Sequence, residues 1–241
     1  MYKNYVSSMN ARDKQVRIIT NYDSPTKYIA HINSSQKHTI NQDHKLSLII
    51  IKKFARLRDT LFDIQFFNDE AIENGYPHTM KTTIMLPVRY YFNMTQQKQR
   101  VILLLHEFMH IYQRSHPFEF NHLLIHTLGL TVDNFTDAYY KDTRRLNPDI
   151  NALLYDGGYG HEVMLYEHNP KTLADAYVHI QSSSSSTELT LFSKLVKEYE
   201  RKIHIQSEHP YEVIACISSH VMYTNDDSVK ELYDWLNTKE E

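Results

Sequence analysis

Apolar and polar positions alternate along this chain mostly with a helical period. Leu46, Ile49, Ile50, Phe54, Leu57 and Leu61 recur at helical spacing and predict one long helix over Asp43 to Asp63. The run Val101 to Leu105 is apolar on every side, as for a helix at the centre of a domain. That helix should start after Thr95 as N-cap and end near Ser115, because Pro117 cannot continue it. Phe118 to Leu130, Thr187 to Ile203, Pro210 to Tyr223 and Ser228 to Leu236 read as further helices. Pro210 suits a first helical position, and Asp226 or Asp227 can cap the last helix. Extended segments are fewer. Gln15 to Thr20 predicts a short strand, and Ile64 to Phe67 an extended piece. Met80 to Pro87, rich in β-branched residues and closed by a proline, predicts an edge strand. Asn74 to Pro77, Arg144 to Asp149 and Asp156 to Gly160 carry turn and loop chemistry, and the serine tract Ser182 to Ser186 predicts an exposed flexible loop.

A chain of 241 residues with 41% apolar side chains can build a sizeable core. The expected organisation is an N-terminal helix-and-strand subdomain, 1–79, packed on a core of residues 80–241 as one continuous unit. Only 5 glycines stand against 18 tyrosines, which favours a mostly helical body. With a formal charge of −3 and dispersed Lys and Arg, nothing draws the chain to nucleic acid or to an anionic membrane. Cys216 is the only cysteine, so an intramolecular disulfide is excluded and a reducing compartment is expected. Met1 to Thr20 has no signal-like apolar stretch, and runs such as Leu48 to Ile51 are too short to span a bilayer. The expectation is an intracellular or virion-associated protein.

Chemistry enters within the central helix. His106-Glu107-Phe108-Met109-His110 spells H-E-x-x-H. Positions four apart share a helix face, so both imidazoles can reach one metal ion, and Glu107 can touch a water beside it. Two histidines and a glutamate are costly on a buried helix unless something pairs with them. The plainer alternative is a pair of hydrogen-bonded core histidines with Glu107 in solvent. A catalytic zinc needs a third protein ligand and an open fourth position. His116 falls where H-E-x-x-H-x-x-G-x-x-H puts its last histidine. That pattern needs the helix to break at a glycine, and Gln113 occupies the slot. Glu212 lies in the first turn of the helix begun by Pro210, with the small Ala215 permitting close approach of a crossing helix. Glu208, His209 and His204 are neighbouring candidates, while His122 and His126 form a further pair without a following glutamate.

With these residues placed, the chain resembles zincin metallopeptidases of the gluzincin kind. His106 to Arg114, Asn147-Pro148-Asp149 and Glu208 to Ala215 together are similar to zincin-like proteins encoded by large DNA viruses, in islands across roughly residues 80 to 220. The resemblance implies an α+β, predominantly helical fold, with a small mixed sheet packed on the H-E-x-x-H helix. It also implies zinc on His106, His110 and Glu212, and hydrolysis of a peptide or protein substrate with Glu107 as general base. An extended substrate could pair with the strand before the metal helix. Tyr112, Tyr199, Tyr211 and Tyr223 are candidates to steady an oxyanion. Many gluzincins carry an aspartate where this chain has Cys216, so the group that orients a ligand histidine must come from elsewhere, such as Asp149, Asp156 or a backbone carbonyl. The competing expectation is a non-catalytic zinc-containing binding or structural protein, its site closed by a fourth side chain such as His209 or His116.

Overall fold

The computed structural model describes residues 9–16, 29–68, 73–133, 142–145, 147, 149, 154–156, 161–181, 190–205 and 209–238. The fold is mixed α+β and mostly helical, with a small mixed sheet. Among the described residues no helix is long and apolar enough to cross a membrane.

The first helix, α1 (Ala11–Val16), replaces the start of the strand expected at Gln15; residues 17–20 of that expectation lie outside the described residues. Asn10 explains the change, because its Oδ1 accepts from the amide of Asp13 at 2.9 Å and caps the helix. The long helix α2 (Ser34–Ile51) begins earlier and ends earlier than the apolar spacing suggests. A capping box starts it: Asn33 Oδ1 accepts from the Gln36 amide and Gln36 Oε1 from the Asn33 amide, both at 2.9 Å. Beyond Ile51 the chain continues in tight turns, with amide bonds from Phe54 to Ile51 and from Leu57 to Phe54. Those turns preserve the spacing that buries Phe54 and Leu57, whereas Leu61 is 79% exposed.

The three-stranded sheet has the order β1-β3-β2, with β1 (Asp63–Phe67) parallel to β3 (Thr83–Pro87) and β2 (His78–Met80) antiparallel to it. The single edge strand expected over Met80 to Pro87 is therefore a hairpin. Its turn lies at Lys81 and Thr82, β3 is central, and β2 forms the edge. Ile84, Met85 and Leu86 are all buried, as a central strand requires. Pro87 pairs at the end of β3 and leads into α3 (Val88–Asn93). The boundary drawn at residue 79 falls inside β2.

The central helix α4 (Gln97–Ser115) is capped at Gln96 rather than Thr95, and neither end of the prediction is far off. Buried Asp43 joins three elements around it. It accepts from Tyr91 Oη at 2.8 Å, from Gln97 Nε2 at 3.0 Å and from Arg100 Nε at 2.6 Å. A carboxylate wholly removed from water is stable there because the guanidinium and two further donors replace its hydration. After α4, Pro117 opens α5 (Pro117–His122), which passes into a π turn over Leu123–Thr127 and stops short of Leu130.

Two small antiparallel ribbons follow, β4 (Thr131–Asp133) with β5 (Leu154–Asp156), and β6 (His161–Tyr166) with β7 (Ala176–Gln181). The serine tract and residues 157–160 lie outside the described residues. Helix α6 (Leu191–Tyr199) is shorter than its amphipathic pattern, with Thr190 Oγ1 capping the amide of Ser193 at 3.2 Å. Helix α7 (Pro210–Thr224) packs along α4 and ends at Asn225 in the left-handed conformation. The last helix, α8 (Lys230–Asn237), starts after Val229; Asp226 instead accepts the Ser228 amide just before it. Arg56 pins α8 and α5 together, donating to the Trp235 carbonyl at 2.7 Å and to Glu119 at 2.6 Å.

Candidate metal centre

His106 and His110 project from one face of α4 towards the first turn of α7, where Glu212 lies. His209 caps α7 by accepting the Tyr211 amide on its Nδ1 at 3.1 Å, and Pro210 takes the first helical position, where no amide partner is needed. This start puts Glu212 in the first turn, facing α4. The His106 and His110 Nε2 atoms are 3.1 Å apart, and each lies 3.3 Å from Glu212 Oε2. A tetrahedral ion with bonds of about 2.0–2.1 Å sets its ligand atoms about 3.3–3.4 Å apart. The triangle is thus the right size for one face of such a coordination shell. Among the described residues these three side chains form the one group of His, Cys, Asp or Glu that could hold an ion.

The side chains of this triad are held by amides. Gln113, wholly buried, donates from Nε2 to the Tyr211 carbonyl at 3.0 Å, which fixes the orientation of its amide. Its Oε1 then faces His110 Nδ1 at 2.9 Å. An amide oxygen can only accept, so Nδ1 carries the hydrogen and Nε2 of the neutral ring offers its lone pair to the cluster. Asn147 Nδ2 donates to Glu212 Oε1 at 2.7 Å, while its Oδ1 accepts the Asp149 amide at 2.8 Å. Glu212 Oε1 is therefore occupied and Oε2 is turned to the histidines. Buried Glu212 Oε2 and Glu107 Oε2 have no hydrogen-bond partner. A buried oxygen left without a hydrogen bond costs about 1–3 kcal/mol when neutral and more when charged, and for Glu212 the two imidazoles 3.3 Å away offset part of this. A cation and a water beside it would satisfy both.

Without metal the cluster competes for protons. Burial works against an imidazolium at His106, but Cys216 and Glu212 outweigh it and hold its pKa well above the ordinary value. Burial likewise opposes charge on His110, and Glu212 and Asp149 reverse the effect, so its pKa is raised. For Glu212, burial favours the neutral acid, yet His110 and His106 hold the carboxyl well below the usual range. Glu107 is pushed up to about 8, chiefly by burial and then by Asp149, with the two histidines opposing. Glu107 is thus a buried carboxyl of raised pKa beside a triad that could hold an ion, the kind of perturbed group that marks a candidate site.

No family model matches the chain, and comparison with curated proteins and with solved structures gives no match. The geometry alone carries the reading.

His116 does not join the triad. The helix runs on to Ser115, and the His116 ring stacks on Tyr112 with centroids 4.3 Å apart. His209 is the buried cap described above, against the rings of Tyr155 and Tyr211. His204 is exposed at the rim, His122 and His126 face each other on the surface, and Glu208 lies outside the described residues. Neither His116 nor His209 closes the fourth position. A cavity of about 720 Å³ opens there instead, lined by Tyr76, His78, Tyr90, Asn147 and Cys216 among others. Cys216 borders it beside His106 without entering the ligand cluster.

The tyrosines singled out from sequence sit elsewhere. Tyr112 Oη donates to Glu119, Tyr199 Oη to Asp226 and Tyr211 Oη to Asn121, and Tyr223 lies under Lys98. Tyr76 and Tyr90 are the tyrosines that line the cavity among the described residues. Burial and then the nearby Glu107 raise the Tyr90 pKa. Nor does Asp149 orient a histidine: it binds Thr79 and Arg114, and Gln113 takes the role proposed for it. The Asp156 side chain lies outside the described residues. Gln113 had a usable signal, being three residues after a ligand on a buried helix face. Asn147 belongs to the Asn147-Pro148-Asp149 island on which the sequence resemblance rests, although only tertiary packing sets its bond to Glu212; Tyr90 carries no such signal.

Proposed function

We propose that this chain is a zinc-dependent peptide-bond hydrolase of zincin type, with the metal on His106, His110 and Glu212. The observation that carries the proposal is the ligand triangle of 3.1, 3.3 and 3.3 Å opening on a cavity beside the unpartnered Glu107 oxygen. Bound there, zinc supplies Lewis-acid polarisation of a carbonyl and acidifies a water. Glu107 would take a proton from a water that attacks the carbonyl carbon, and would hand it to the amine nitrogen as the C–N bond breaks. Gln113 holds His110 in the tautomer that offers Nε2, and Asn147 keeps Glu212 Oε2 aimed inwards. Tyr90, on the cavity wall, is our candidate to donate to a developing oxyanion. The test is Glu107→Gln on zinc-loaded protein with a mixed peptide library. Hydrolysis by wild type, and none by a variant that still holds one zinc, supports the role. Equal cleavage by both defeats it.

A further inference from the structure

The edge strand beside the cavity has its backbone donor already in use. In the β2–β3 hairpin, Met80 pairs with Thr83 across a two-residue turn at Lys81 and Thr82. Such a closing pair exchanges its hydrogen bonds, so the neighbouring Thr79 directs its backbone away from β3. That outward amide donates to Asp149 Oδ1 at 3.0 Å, and the Thr79 hydroxyl donates to the same oxygen. Pro77, the next position with the same outward sense, has no N–H. Beyond Thr79, the Lys81 carbonyl accepts from Arg114 Nη2 at 3.1 Å.

This occupation is built into the metal centre. Asp149 is buried, pairs with Arg114 at 3.2 Å, and gives its own amide to Asn147 Oδ1. Asn147 in turn holds Glu212. Asp149 therefore cannot swing off the strand without loosening a ligand. An added strand must accept as well as donate at alternate positions along an edge, and here the donor it needs is taken.

We infer, resting on the hydrolase reading, that the substrate is a short peptide of a few residues seated in the open cavity, not an extended polypeptide laid along β2. The cavity of about 720 Å³ matches this class, since sites enclosing a drug-sized molecule measure about 300–1,000 Å³. Recognition then falls to side chains on its walls, such as Tyr76, Tyr90 and Arg145.

The experiment has two arms. In the first, amide exchange of Thr79 is measured in the metal-free wild type and in Asp149→Asn and Asp149→Ala. Exchange in wild type at least tenfold slower than in Asp149→Ala supports the inference, and an unprotected Thr79 amide overturns it. In the second, zinc-loaded wild type is given unblocked peptides of two to ten residues, with and without N-methylated amides flanking the scissile bond. A kcat/KM that peaks by four residues and changes less than threefold on further lengthening or on methylation supports it. A tenfold or larger gain with length, lost on methylation, overturns it. If no peptide of any length is cleaved, the hydrolase reading fails, and the exchange arm still decides whether the edge is taken.

Discussion

Gln113 offers the sharpest probe of the proposed centre, because it touches His110 without belonging to the triad. Gln113→Leu keeps approximate volume and removes two buried hydrogen bonds, at 2.9 Å to His110 and 3.0 Å to the Tyr211 carbonyl. Both former partners stay buried. At about 1–3 kcal/mol for each group left unpaired, the fold should lose roughly 2–6 kcal/mol. Zinc affinity should fall about 10- to 100-fold, the usual effect of removing the group that orients a ligand histidine. Gln113→Glu separates the two effects. Its carboxylate still accepts from His110 Nδ1, yet when ionised it gives nothing to Tyr211. Zinc should then bind as tightly as in wild type or tighter, while the fold is still weakened. The assay is competition for zinc against a chromophoric chelator, paired with thermal unfolding of metal-free protein. If both variants lose zinc in proportion to lost stability, or if neither loses it, the tautomer argument is wrong.

Other consequences follow from the same geometry. Glu212→Ala should abolish stoichiometric zinc by metal analysis, whereas His116→Ala, whose ring stacks on Tyr112, should leave it intact. Tyr90→Phe should lower kcat by about 10²- to 10³-fold, as for loss of one oxyanion donor, with KM little changed; an unaltered kcat removes Tyr90 from the mechanism. In metal-free protein the Glu107 pKa is raised from 4.5 to about 8. Its contribution to stability is thus full below about 4.5 and disappears as pH rises through about 8. Chelator-treated wild type should lose a few kcal/mol relative to Glu107→Gln across that window, at about 1.4 kcal/mol per unit, and parallel stability curves would contradict the burial argument. Zinc binding should release protons and weaken as pH falls through the raised histidine pKa values, which calorimetry in buffers of different ionisation enthalpy measures.

The central helix and the start of α7 are legible in the sequence because local rules and tertiary packing agree there. Val101 to Leu105 is apolar all round and buried or half-buried, and Pro117 and Pro210 mark a stop and a start that no packing overrides. His106, His110 and Glu212 could be put together from spacing and from the need for a third ligand. The hairpin was hidden inside one β-rich stretch because Lys81, at φ 57°, is an unusual residue for a turn that prefers glycine or asparagine. Phe54 and Leu57 keep a helical spacing through turns that are not helix, which is why α2 looks longer than it is. The ribbons β4 to β7 are short, and their partners are fixed by contacts distant in sequence, such as Val132 with Tyr155. Such pairings leave little periodic trace.

The Gln113–Tyr211 bond also sets how far one helix may slide along the other. A shift of a single residue moves a helix about 1.5 Å along its axis, while coordination tolerates only about 0.2 Å. On the proposed metal reading, side chains between α4 and α7 would act as spacers for the ion. Ala215, three residues after Glu212 on α7, is wholly buried in the core to which both helices contribute. If the triad holds an ion, lengthening Ala215 to valine would strain the packing around α7, and the choice of metal would then be open to tuning from a position that never meets it.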